Sequence, residues 1–141
     1  MNEADWLACT HAYKKLGRFR VRHARVRYAR KLRLFGVACC RRISHIFSDL
    51  RSRNAVEVAE LFADGAASED DLNAACEAAA SAHAAAFRAK GKVQACPEWA
   101  AEFVADRDPY FAATCACGFA LKAARDSVVD GQEHLSPGAL D

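Results

Sequence analysis

Seven cysteines and five histidines are the side chains of this 141-residue chain best suited to nucleophilic or metal chemistry. They are Cys9, His11, His23, Cys39, Cys40, His45, Cys76, His83, Cys96, Cys115, Cys117 and His134. Clustered thiolates would select a soft ion such as Cu(I) or Zn. A thiol beside an imidazole would make a nucleophile. The spacings support neither strongly. No Cys-x-x-Cys pair occurs. Cys115 and Cys117 lie about 200° apart around a helix, and Cys39 and Cys40 about 100° apart. Cys76 and His83 share a helix face but stand roughly 10 Å from each other, so a site there needs ligands from another helix. There is no glycine-rich phosphate loop, G-x-S-x-G or H-E-x-x-H motif. In Arg41-Arg-Ile-Ser-His45 the arginine-to-histidine gap is too short for a helical ribonuclease. These residues lead us to expect a non-enzyme with no cofactor and no metal ligands, its thiols filling a core in a reducing cytoplasm.

A second chemistry is electrostatic. Between Lys14 and Arg42 stand twelve basic residues, nine of them arginine, without one Asp or Glu. The rest of the chain holds eight basic residues against all eighteen acids, so the net charge of +2 conceals a strongly divided molecule. Arginine-rich segments suit bidentate phosphate contacts, and Phe19, His23 and Tyr28 are interleaved as stacking groups. The competing reading places the block against acids, either within the fold or on a partner. Glu57, Glu60 and Asp64, aligned on one helix face, are ready candidates. No helix-turn-helix spacing, zinc-finger pattern or aromatic RNA-binding motif favours the nucleic-acid reading. The candidate binding residues are Arg18, Arg20, Arg22, Arg25, Arg27, Arg30, Lys31 and Arg33.

The elements that must position these groups are helical. Alanine is abundant, Gly and Pro number only seven and three, and apolar residues make up 52%. A first helix is predicted to start after Asn2 and run to about Leu16, carrying Trp6, Cys9 and Tyr13 and stopped by Gly17. A second runs from Leu32 to Leu50 on the stripe Leu32, Phe35, Gly36, Cys39, Ile43, Ile46, Phe47 and Leu50. Leu34, Val37 and Ala38 lie off that stripe, so this helix is touched on more than one side. Ser52 is read as the cap of a third helix with Ala55, Val58, Ala59 and Phe62 inward and Gly65 at its end. Ser68 and Asp71 form a capping box for a fourth, which reaches about Lys90. Ten of its seventeen residues from Asn73 to Ala89 are alanine. Pro97 and Pro109 open a fifth helix at 97–106 and a sixth at 109–129, the latter capped by Asp108. Arg18–His23 alternates basic and apolar residues and reads as an extended arm or loop as readily as a helix.

Three segments taken together have a resemblance: Asp5-Trp-Leu-Ala-Cys-Thr10, Lys31-Leu-Arg-Leu-Phe-Gly-Val-Ala-Cys-Cys-Arg-Arg-Ile43, and Arg51-Ser-Arg-Asn-Ala-Val-Glu-Val-Ala-Glu60 with Ala63-Asp-Gly65. The first half of the chain resembles an uncharacterised family of paralogous bacterial helical domains, rich in alanine after these motifs. Members usually carry a proline-containing turn after the Trp-Leu-x-Cys-Thr segment. Here His11–Gly17 and the arginine-rich run take its place. The resemblance implies a non-catalytic module and supplies no cofactor or site residue.

The expectation is therefore an all-α fold, a compact bundle of five or six helices with an Arg-rich arm or loop before the central helix. One domain spans 1–130, with 18–30 the basic segment and 131–141 a frayed tail. The expected core includes Trp6, Phe35, Cys39, Ile43, Phe47, Val58, Phe62, Leu72, Cys117 and Leu121. The acidic N-terminus lacks a long apolar segment, and no run of 18 apolar residues suggests a membrane span, which together point to a cytoplasmic protein. Its expected partner is an acidic protein or a second copy of itself. Nucleic acid is the first alternative and a thiolate-bound soft metal the second.

Overall fold

The structure, a computed structural model, describes residues 15–91 and 95–133. All but the last two residues of the predicted Asn2–Leu16 helix, Trp6 included, lie outside these, as does the tail after residue 133. Six α-helices lie wholly within the described residues and no strand does: α1 Arg22–Arg27, α2 Ala29–Arg42, α3 Leu50–Ala63, α4 Glu69–Lys90, α5 Cys96–Val104 and α6 Pro109–Glu133. Two 3-10 turns, Gly17–Phe19 and Ser44–Ile46, precede α1 and follow α2. The all-α bundle is thus as the composition implies. The alternating Arg18–His23 segment is neither strand nor extended arm but a 3-10 turn running into α1.

Side-chain caps set where the helices begin. Asp71 N donates to Ser68 Oγ at 3.1 Å while Ser68 N donates to Asp71 Oδ2 at 2.8 Å, completing the predicted capping box of α4. Tyr110 N donates to Asp108 Oδ1 at 2.8 Å at the head of α6. The cap of α3 differs from the sequence expectation. Arg51 N donates to Asp49 Oδ1 at 2.8 Å, so the helix opens three residues before Ser52, whose side chain is fully buried in the first turn.

These caps respond to pH in a definite direction. The carboxyl of Asp49 is held below the usual carboxylate range, chiefly by its hydrogen bond with the Arg51 side chain, and that of Asp71 by its bond with the Ser68 side chain. A carboxyl depressed in the folded state contributes stability that is complete above its unfolded value, about 4, and is lost as pH falls through the folded value. Thermal melts should therefore show Tm dropping from about pH 5 to about pH 3. A variant carrying Asp49→Asn and Asp71→Asn should drop less, because asparagine still caps but carries no proton equilibrium. Equal drops in both proteins would refute this origin of the acid sensitivity.

The predicted continuous helix from Leu32 to Leu50 is broken. α2 ends at Arg42, and residues 43–49 turn before α3 starts. The break costs no burial. Ile43 and Phe47 are 3% and 4% exposed, because one tight 3-10 turn keeps residues three and four apart on the same inward side. Helix α2 occupies the centre, packed against α3, α5 and α6.

The core is built mostly from small side chains. Ala55 and Ala59 of α3, Ala75 and Ala79 of α4, Ala100 and Ala101 of α5, and Ala116, Ala120 and Ala123 of α6 are buried together with Val37, Cys40, Leu72 and Val104. Cys39, Val58 and Phe62 pack against this cluster from partly buried positions, and Cys117 is buried. Two expected core residues are surface residues: Phe35 is 38% exposed and Leu121 is 52% exposed. The inward face of α2 is instead Leu32, Arg33, Gly36, Val37 and Cys40. Gly36 explains the rotation. A Cβ there would sit 2.5 Å from the carbonyl oxygen of Ala112, so the backbones of α2 and α6 meet at this point. That contact fixes which sides of both helices face each other, and Phe35 and Phe111, the residues just before Gly36 and Ala112, turn outward.

Candidate functional site

The eight basic residues singled out from the sequence separate into groups with different surroundings. Arg33 is 3% exposed and serves the interior. Its Nη1 donates to the carbonyls of Val104 at 2.9 Å and Asp106 at 2.7 Å, and its Nη2 to that of Arg107 at 3.2 Å. Its guanidinium also lies 5.2 Å from the Phe62 ring centroid. It closes the C-terminal end of α5, where carbonyls lack helical partners. Burial pulls this guanidinium below the usual arginine range, opposed by the nearby carboxylates of Asp106 and Asp108. Arg33 is therefore a fold-holding residue and cannot meet a partner, which corrects its place among the binding candidates.

Arg25 is partly withdrawn as well. It pairs with Asp108, its Nε donates to the Arg20 carbonyl at 2.9 Å, and its guanidinium lies 4.8 Å from the Tyr110 ring centroid. Arg30 pairs with Asp64 at 2.6 Å on the open surface, and Arg41 pairs with Glu60. Two members of the Glu57/Glu60/Asp64 face thus receive arginines from the basic block, as the intramolecular reading of the charge division requires. Such exposed pairs contribute at most about 1 kcal/mol each, so they position the block more than they stabilise the fold.

What remains outward is a ridge that runs from the Gly17–Phe19 turn through α1 to the first turn of α2. Arg18, Arg20, Arg22, Arg27 and Lys31 are exposed, and among the described residues the side chains of Arg20 and Arg22 make no ion pair. The ridge is anchored to the bundle by a small second apolar cluster. Leu16, Leu32 and Ala113 are buried there, with Phe19 and Tyr28 packed edge to face at 5.3 Å. Arg27 and Lys31 lie over the Tyr28 ring at 5.6 and 5.9 Å, a cation–π arrangement that leaves their charges on the outer side. Val26 stands in the middle of these cations, 74% exposed, one turn after Arg22 on the same helix face.

The thiols come together differently from their spacing. Cys115 and Cys117 diverge as expected, but Cys39 of α2 and Cys117 of α6 interact across the helix seam, and Cys117 also influences Cys40. The Cys39 thiol is pushed up, chiefly by its interaction with Cys117, and the Cys117 thiol is drawn down by the same interaction. Burial pushes Cys40 up to about 12. Cys76 Sγ donates to the Glu102 carbonyl at 3.7 Å, and His83 Nδ1 lies 2.9 Å from Glu102 Oε2 with its ring stacked on Trp99 at 4.6 Å. Among the described residues no three His, Cys, Asp or Glu side chains form a group able to hold a metal ion. Cys9, His11 and His134 lie outside those residues.

One polar cleft had no sequence signal. It measures about 330 Å³ and is lined by Arg41, Ser44, His45, Phe47, Arg53, Val56 and Glu57. It exists because the chain turns at 43–49, and a helix read straight through those residues closes it. No family model, curated protein or solved structure matches the chain. No described helix is long and apolar enough to cross a membrane.

Proposed function

We propose that this chain is a non-catalytic helical binding module that engages an acidic protein surface through the ridge running from the Gly17–Phe19 turn through α1 to the start of α2. The observation that carries this reading is the exposed Val26 set among Arg20, Arg22, Arg27 and Lys31. An apolar contact enclosed by arginines matches the composition of protein interfaces, where apolar centres sit inside polar rims and arginine is enriched. Phosphate recognition needs the cations alone and gains nothing from a bare valine. The resemblance to paralogous helical domains agrees with an adaptor, and a second copy of the chain, with its surplus of acids outside the block, is one acidic partner within reach.

The test compares the parent chain with two variants, Arg20→Glu/Arg22→Glu/Arg27→Glu and Val26→Asp. Each is purified at low salt and checked for an unchanged melting curve. The expected result is an acidic protein, or a self-associated form in sedimentation, that is lost in both variants. Binding of an unrelated labelled oligonucleotide that falls steeply from about 50 to 200 mM salt and survives Val26→Asp would favour nucleic acid instead. A charge-reversed chain that keeps its protein partner would refute the ridge as the contact.

A further inference from the structure

The cleft between the end of α2 and the first turns of α3 lies apart from the ridge and shares no residue with it. Its walls are chemically lopsided. Arg41, Arg53, His45 and the Ser44 hydroxyl offer hydrogen-bond donors, while Glu57 is the one carboxylate in the lining. Arg41 is paired with Glu60, which lies outside the lining. Arg53 is held across the turn by one long bond, its Nη2 donating to the Phe47 carbonyl at 3.3 Å. A guanidinium has five N–H donors, so four remain for a guest. Glu57 makes no ion pair among the described residues and is exposed, leaving its oxygens free to accept. The base is rigid. Phe47 and Val56, each 4% exposed, belong to the packed core.

We infer that this cleft binds a small phosphorylated polyol, its phosphate against Arg53, His45 and Ser44 and a hydroxyl donating to Glu57. A carboxylate would be saturated by a single guanidinium fork, whereas donors from both the turn and the helix suit the three terminal oxygens of a phosphomonoester. Glu57 accepts from a hydroxyl, which a polyol ester can place there while its phosphate stays with the cations on the other walls. The volume lies at the small end of ligand sites, about 300–1,000 Å³, and fits a guest of only a few carbons.

Glycerol 3-phosphate is the probe, titrated into the isotope-labelled full chain with amide shifts as readout and inorganic phosphate in parallel. Saturable shifts should centre on Ser44, His45, Arg53 and Glu57. Arg53→Ala should weaken binding at least about tenfold. Glu57→Gln should weaken glycerol 3-phosphate while leaving inorganic phosphate unchanged or tighter. His45→Ala provides an independent loss should Arg53→Ala alter the melting curve. Shifts that do not saturate, that centre on Arg20 and Arg22, or that persist in these variants would overturn the assignment.

Discussion

Replacing Arg33 with methionine is expected to destabilise the chain by roughly 3–4 kcal/mol, read as a lower urea midpoint. Methionine keeps an apolar stem beside Phe62 but removes the donors to Val104, Asp106 and Arg107. Losing hydrogen bonds to a charged group costs about 1.5–3 kcal/mol, and the Val104 carbonyl stays buried without that partner. Lysine keeps the charge but not the planar fork, so Arg33→Lys should fall between, at about 2 kcal/mol. Since whole domains have only about 5–15 kcal/mol of stability, Arg33→Met should leave a marginal fold. Arg20→Met on the exposed ridge should change stability by less than about 0.5 kcal/mol. Equal effects at the two positions would contradict the division between a buried and an outward-facing arginine.

Gly36→Ala is the second large effect, and its sign is unusual. Alanine in place of glycine inside a helix normally stabilises by about 1 kcal/mol. Here the added Cβ would lie 2.5 Å from Ala112 O, 3.1 Å from Ala112 C and 3.2 Å from Val104 Cγ2. Two of these atoms belong to backbone and cannot rotate away, so α6 must shift from α2 and open the alanine seam. We expect a net loss of about 2 kcal/mol and a Tm lowered by roughly 5–10 °C, with Gly36→Val worse. Gly17→Ala is the matched control, since no atom of the described residues lies within 4 Å of its added Cβ. It should stay within about 0.5 kcal/mol of the parent chain. A Gly36→Ala chain that melts higher would disprove the close approach.

Local signals were readable from residue type alone. The Ser68–Asp71 box, the Asp108 cap and the opening prolines act within one helical turn, so four consecutive residues suffice to recognise them. The break after Arg42 was hidden for a geometric reason: a three-residue 3-10 turn preserves the apolar spacing that a continuous helix would show. Asp49 and Ser52 are both capping types three residues apart, and only the burial of Ser52 decides between them. Phe35 and Leu121 satisfied periodicity, yet the close approach of Gly36 to Ala112 sets which sides of α2 and α6 meet, and both residues fall outside that contact. The basic block was visible as a charge run, but its sorting was not. Whether an arginine is buried depends on carbonyls such as that of Val104, 71 residues further along the chain.

The ion pairs of the basic block join residues 34, 19 and 83 positions apart. Before any core forms, the same chain is a blocky polyampholyte, cationic toward its start and anionic beyond. Opposite blocks attract over about a Debye length, 10 Å in 0.1 M salt and about 30 Å at 0.01 M. The denatured ensemble is thereby drawn together at low ionic strength. Added salt loosens that ensemble before it touches the alanine seam, which has no charge to screen.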